Sequence, residues 1–366
     1  MPKILIFTSK TGGGHISLAE ALRDRLQDRY TIEMIDPQPG IVHWHYRLVS
    51  RHALWLWAAE FRLADHPGRA RAAHRVSNLL LSRYVQAALA RARPDLAITT
   101  YPFLTTEVTY AMRRLGRVIP LVMLFADPNG VHQSWLTEQG ADAVLAPTRE
   151  THQQALEAGF DPQRLHLSGW PVRLQFYRNY QDSRAAIFQQ MGLRPDCFTI
   201  FLQGGGEGAA RFVRTVENIL TLDRLQIILA VGTNRALYER FKRTPGLFAL
   251  PFTKEIAPYM AAADVVMGKA GPNMLFEAVT LGRPFIATAY IPGQEQANLE
   301  FIRRHRLGWV ALDVQTQRAV LADLLAHPAS LQSMQAAVEE YRRWNAERLV
   351  TIGPVIDRLL SESIRR

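Results

Sequence analysis

The sequence predicts an α/β protein of two domains, each built on a parallel sheet, and three observations predict it. Short apolar runs rich in β-branched residues alternate with helical patterns along almost the whole chain. That is the rhythm of strand–helix–strand units with right-handed crossovers. The rhythm breaks once, at "GWPVRLQFYRNYQDSR" (Gly169–Arg184), and then restarts. The chain has 366 residues, about twice the usual size of one domain. Two α/β domains of similar size with a cleft between them follow.

The first run, Lys3–Thr8, is apolar without alternation, as in a strand covered on both faces. A helical pattern over Ile16–Arg29 follows it. Further strands are predicted at Ile32–Asp36, Leu96–Thr100, Pro120–Phe125, Ala143–Ala146 and Leu165–Ser168, with a helix at Thr105–Leu115. The second half repeats the scheme at Phe198–Leu202, Gln226–Val231, Leu247–Pro251, Asp264–Met267, Pro284–Ala287 and Trp309–Leu312. Helical patterning dominates from Gln315 onward. The predicted division is 1–172, a linker at 173–196, 197–345, and a final helix at 346–366.

Composition narrows the function classes. A hydrophobic share of 48% with 21% charged residues is ordinary for a soluble globular chain. The single cysteine, Cys197, excludes an intramolecular disulfide and suits a reducing compartment. The N-terminus enters a strand pattern at once, which leaves no room for a signal peptide. No apolar run reaches the roughly 18 residues a membrane span needs. The net charge of +10 is concentrated: between Ile41 and Arg93 nine arginines face only Glu60 and Asp65. Trp44, Trp55 and Trp57 lie in the same segment, with Arg51 and Arg62 beside them. Arginines and tryptophans together suit a helix lying in the headgroup region of an anionic membrane. A partly buried helix pair with a solvated arginine face is the plainer alternative. No nucleic-acid-binding motif accompanies the arginines.

In open α/β sheets ligands bind beyond the carboxyl ends of the strands, and the unusual residues gather there. Gly12-Gly13-Gly14-His15 follows the first strand, and Gly204-Gly205-Gly206 follows Phe198–Gln203. Gly268-Lys269-Ala270-Gly271-Pro272-Asn273 follows Asp264–Met267 and opens a helix. Glycine-rich loops that enter helices make anion sites, because free N–H groups and the helix dipole face the ligand. Pro272 suits the first helical turn. Neither loop has the Walker pattern or the GxGxxG fingerprint in its strand-one setting, so a diphosphate is expected without kinase or dehydrogenase chemistry. Glu277 lies one turn after Asn273, on the face of that helix start, where a carboxylate could accept two hydrogen bonds from a ribose diol; a surface glutamate favourably placed in the first turns of a helix is the plainer alternative. His15 and Asp127, in "FADPNGVH", are the acid–base candidates. There is no Asp-x-Asp pair, HExxH or paired-cysteine site for a metal.

The stretches "SKTGGGHISLAEAL", "LQGGGEG", "SGWPVR" and "PFTKEIAPYMAAADVVMGKAGPNMLFEAVTLGRPFIATAYIPGQEQAN" resemble the monogalactosyldiacylglycerol synthase and processive diacylglycerol glucosyltransferase family, and the related MurG-like enzymes. The resemblance runs from Met1 to about Asn345, and Gly268–Asn298 is its most specific part. It implies the GT-B fold, two Rossmann-like domains with a last helix crossing back onto the first. It also implies inverting transfer of a hexose from a UDP-sugar to diacylglycerol. Gly205, Gly206 and the backbone at Gly271–Asn273 would meet the diphosphate, Phe252 the uracil, Glu277 the ribose, and Gln294 and Glu295 the sugar hydroxyls. Gly13 and Gly14 would meet the acceptor, His15 would be the base, and Asp127 the alternative base or orienting partner. The Trp/Arg segment matches the membrane-facing part of the family. No cofactor is required on this reading, with magnesium at most stimulatory, and the site would be peripheral on the cytoplasmic face. Two departures, Lys10 before the triple glycine and the loosely matching "ADPNGVHQSWL", fall on the acceptor side. Alternatives are a MurG-like transfer to another lipid and a UDP-sugar 2-epimerase on the same architecture.

Overall fold

The computed structural model describes residues 1–10, 13–44, 48, 54–180, 184–203 and 209–364. The chain forms two units. The first comprises Met1–Leu174, Pro292–Ala297 and Trp344–Arg366; the second comprises Gln175–Ile291 and Asn298–Arg343.

Along the first unit run β1 (Lys3–Phe7), α1 (Gly14–Leu26), β2 (Thr31–Ile35), α2 (Leu54–Ala64), α3 (Pro67–Ala92), β3 (Leu96–Thr99), α4 (Thr105–Arg114), β4 (Leu121–Leu124), α5 (Gln133–Leu136), β5 (Ala143–Ala146), α6 (Arg149–Glu157) and β6 (Leu165–Leu167). The strands are parallel, in the order β2-β1-β3-β4-β5-β6. Ile4–Phe7 are fully buried, which explains their unbroken apolar run: a central parallel strand is covered on both faces.

In the second unit come α7 (Arg184–Met191), β7 (Phe198–Gln203), α8 (Ala209–Ile219), β8 (Leu225–Gly232), α9 (Arg235–Phe241), β9 (Leu247–Pro251), α10 (Ala257–Ala262), β10 (Val265–Lys269), α11 (Pro272–Thr280), β11 (Phe285–Ala289), α12 (Gln296–Arg304), β12 (Gly308–Val310), α13 (Val314–Ala326) and α14 (Pro328–Leu349). Its parallel sheet has the order β12-β11-β10-β7-β8-β9. Counted from β7 this is the Rossmann order, with the reversal between β7 and β10.

The end of α14 and then α15 (Ile352–Ile364) belong to the first unit. Buried Asn345 holds this segment. Its Oδ1 accepts from the Trp170 N–H at 2.7 Å and its Nδ2 donates to the Trp170 carbonyl at 3.1 Å. Gly169, at φ +70 in the loop after β6, lets that loop pass close to helix α14, because a Cβ there would lie 2.7 Å from the Asn345 carbonyl oxygen. The "GWPVR" interruption in the sequence is therefore a docking point for the chain's own end. Further along, Asp357 accepts from Arg29 at 2.6 Å and from the Tyr30 hydroxyl.

Candidate active site

In the first sheet the strand order reverses between β1 and β3, so the carboxyl ends of those two strands frame the expected binding crevice. Thr11 and Gly12 lie outside the described residues. Gly13 caps α1 at φ +72, and a Cβ there would meet nothing within 4 Å. Glycine is needed at this position for the left-handed backbone rather than for a tight contact, and the space around it is open. Gly14 begins the helix and His15 follows.

The His15 side chain is fixed from β3. Its Nδ1 lies 2.7 Å from the Thr100 carbonyl oxygen, and Tyr101 meets the ring edge-on at 4.9 Å between centroids. A carbonyl only accepts, so Nδ1 carries the hydrogen and Nε2 presents a lone pair. Burial pushes the imidazole pKa down to about 4, against an upward pull from the Thr100 hydrogen bond. The ring is therefore neutral at physiological pH, with an unprotonated Nε2.

Asp127 emerges after β4, on the same rim, with β3 between it and β1. Adjacent strands are about 4.8 Å apart, so β1 and β4 are about 10 Å apart. Burial pushes the Asp127 carboxyl up to about 7, while hydrogen bonds from the Trp135 side chain and the His132 backbone pull it down and the Asp65 charge adds a further rise. Trp135 is itself buried and stands edge-on to Phe125. Sequence reasoning missed Thr100, Tyr101, His132 and Trp135. The first two sit at the end of a predicted strand, but only the strand order shows that this strand neighbours His15.

The second unit has its reversal between β7 and β10. Gly205 and Gly206 lie outside the described residues. After β10, Gly271 is the N-cap of α11 with an extended backbone and no side chain of its own to cap it, Pro272 occupies the first turn and Asn273 follows. The strand comes close to its neighbours here: a Cβ on Gly268 would lie 2.8 Å from both the Gln203 carbonyl oxygen and Met274 Cε. Glu277 sits on α11 at 8% exposure. Lys269 ends β10, a cation beside this anion-type loop that the sequence reading assigned no role. Phe252, just after β9, is 66% exposed, an uncovered aromatic face at the rim. Gln294 and buried Glu295 lie in the segment Pro292–Ala297 of the first unit. No group of three or more His, Cys, Asp or Glu able to hold a metal ion occurs among the described residues.

Of the basic aromatic segment, Trp44 is 55% and Trp55 74% exposed, and Arg62 is exposed beside Leu63. Arg51 and the Trp57 side chain lie outside the described part. Among the described residues no helix is long and apolar enough to cross a membrane.

The two parallel sheets and their rims define the class, the GT-B glycosyltransferase fold. The whole chain superposes on the glycotransferase of kitacinnamycin (TM-score 0.66, 13% identity, 98% of this chain and 99% of that one). It also superposes on the Anabaena protein HepE in complex with UDP-glucose (TM-score 0.59, 14% identity, 99% and 100%). A Listeria monocytogenes protein assigned as a UDP-N-acetylglucosamine 2-epimerase matches at TM-score 0.60 with 13% identity over 91% of this chain and 90% of that one, so the fold alone does not separate transfer from epimerisation. Sequence comparison does. Residues 15–172 match the monogalactosyldiacylglycerol (MGDG) synthase family, and residues 199–343 match the glycosyltransferase family 28 C-terminal domain. The first half of the chain is thus similar to the monogalactosyldiacylglycerol synthases and the second half to the family 28 glycosyltransferases. It is 28% identical over 327 residues to the Oryza sativa protein named "Probable monogalactosyldiacylglycerol synthase 2, chloroplastic" (82% of this chain, 68% of that one). It is 26% identical over 350 residues to monogalactosyldiacylglycerol synthase 3 of Arabidopsis thaliana (87% and 73%).

Proposed function

We propose that the protein transfers a hexose, galactose or glucose, from a UDP-sugar to diacylglycerol, with inversion, at a membrane surface. The observation that carries this reading is the coincidence of the first unit's family match, which begins at His15, with a rim where that histidine presents Nε2. The epimerase alternative rests on fold likeness only and leaves the exposed Trp44 and Trp55 unexplained.

His15 Nε2 takes the proton from the acceptor hydroxyl as its oxygen attacks C1 of the sugar opposite UDP. The transition state is oxocarbenium-like. The attacking hydroxyl becomes strongly acidic as the new bond forms, so an imidazole with its pKa near 4 suffices as the base. Asp127, as the carboxylate, orients that hydroxyl. Gly13 and Gly14 leave room for the acceptor.

In the second unit the α11 start at Gly271–Asn273, with Gly205, Gly206 and Lys269, meets the diphosphate and its developing charge. Phe252 stacks on uracil and Glu277 binds the ribose diol. Gln294 and Glu295 bind sugar hydroxyls. No metal is needed on this account, so EDTA is expected to leave turnover in place; abolition by EDTA and restoration by magnesium contradict it. Trp44, Trp55 and Arg62 seat the protein peripherally, on the cytoplasmic face, against anionic lipid. The anomeric configuration of the glycolipid product, read by NMR, tests the reaction itself. A β-linked hexose from the α-linked donor is expected, and an α-linked or unattached hexose contradicts the proposal.

Two predictions follow from the site. Glu277→Ala removes charge-assisted hydrogen bonds to the ribose and is expected to weaken UDP binding by about 1.5–3 kcal/mol. The same variant should bind 2′,3′-dideoxy-UDP as the parent does; titration calorimetry reads both. Asp127 makes a strong, charge-assisted contact to the hydroxyl proton as the carboxylate, and burial pushes its pKa up to about 7. Turnover should therefore fall about tenfold per pH unit on the acid side of that value, and Asp127→Asn should lower the rate and flatten this limb. His15 adds no limb there, because it is already neutral well above pH 4.

A further inference from the structure

Helix α2 joins the exposed aromatic surface to two loops of the proposed site. Outward it shows Trp55, Arg62 and Leu63. Inward, the Phe61 carbonyl lies 3.0 Å from Nε2 of His132, and the two rings are 4.2 Å apart. His132 is only 5% exposed. Its Nδ1 accepts the Ser134 N–H at 3.1 Å and so caps α5, which leaves the hydrogen on Nε2, directed at Phe61. The His132 backbone in turn hydrogen-bonds to Asp127. Phe61 also touches the other loop: a Cβ on Gly293, at φ +85, would lie 3.2 Å from Phe61 Cδ1. Gly293 directly precedes Gln294 and Glu295. A second link, from the Gln133 N–H to Asp65 at 3.0 Å, runs through solvent-exposed groups.

We propose that His132 is a positioning residue that couples the seating of α2 on lipid to the Asp127 loop, so that the site is ordered when the protein lies on a membrane. This rests on the membrane reading given above. The part-buried Nε2–H to carbonyl bond, made by a ring that is itself 5% exposed, is the coupling element, because it is less readily exchanged for solvent than the exposed Gln133–Asp65 link. Coupling of this kind is a matter of local stability: whatever orders α2 orders the loop it is bonded to.

Two substitutions separate the roles of the ring nitrogens. His132→Gln keeps a donor at the reach of Nε2 and loses the cap; His132→Asn keeps the cap and cannot reach Phe61. Amide hydrogen exchange of the full chain is measured with and without vesicles of phosphatidylcholine and phosphatidylglycerol. In the parent protein and His132→Gln, vesicles are expected to slow exchange about tenfold both at 54–64 and at 127–136. In His132→Asn only 54–64 should slow. Slowing at 127–136 in His132→Asn, or its loss in His132→Gln, overturns the proposal and leaves His132 as a helix cap. Absence of slowing at 54–64 in the parent overturns it together with the membrane reading. Exchange is read without turnover, so either result leaves hexosyl transfer to be judged by its product.

Discussion

His15→Ala is expected to slow hexosyl transfer by about 10²–10⁴-fold, the contribution of a positioned general base, while UDP affinity stays at the parent value. The reason is local. Thr100 accepts the Nδ1 hydrogen and Tyr101 braces the ring, so the imidazole is held in one tautomer with Nε2 directed away from the strand. Alanine removes the only group in this account that takes the acceptor's proton. The groups assigned to uracil, ribose and diphosphate all belong to the second unit, so they are untouched. Steady-state kinetics with a titration of UDP separates the two effects. Retained kcat removes His15 from the role of base and shifts it to Asp127.

Gly308→Ala is expected to act in the opposite way, by destroying the second unit. Gly308 has φ +152 and pairs with Phe285 in the β11–β12 ladder. A Cβ there would lie 1.7 Å from the Phe285 carbonyl oxygen and 2.6 Å from two further backbone atoms. No rotamer change relieves a clash with backbone. The edge strand must leave β11, exposing Leu307 and Ala311, which are fully buried. Losses of this kind belong to the exceptional class beyond ~4 kcal/mol. Calorimetry should show the second unit melting ~10 °C or more lower, with UDP binding lost as it melts. A parent-like melting temperature contradicts the β11–β12 pairing.

Much of this was legible in the sequence, for physical reasons that differ by element. The central strands stand out because buried parallel strands are unbroken apolar runs, and Ile4–Phe7 is the clearest case. Their ends are less sharp: β10 continues through Gly268 to Lys269, and β12 starts at Gly308 and stops at Val310. The helix start at Pro272 was readable from proline and the glycine before it. What local pattern does not carry is strand order. Thr100 and Tyr101 become site residues only once β3 lies beside β1, and the His132–Phe61 contact spans 71 residues of chain. The same limit hid Asn345, whose pairing with Trp170 spans 175 residues. Gln294 and Glu295 were read as part of the second domain, whereas Pro292–Ala297 groups with the first unit, held there by Asn129 donating to the Ala297 carbonyl and by Gly293 against Phe61.

The central claim is that this chain joins a hexose to diacylglycerol. The most direct measurement incubates the purified protein with diacylglycerol vesicles and, in parallel, UDP-galactose or UDP-glucose, and identifies the lipid products by mass. The account predicts a hexosyl-diacylglycerol from at least one donor, and the donor that reacts names the sugar. UDP bound but no lipid product from either donor would contradict it, and would move the acceptor to another lipid or the chemistry to the sugar nucleotide itself.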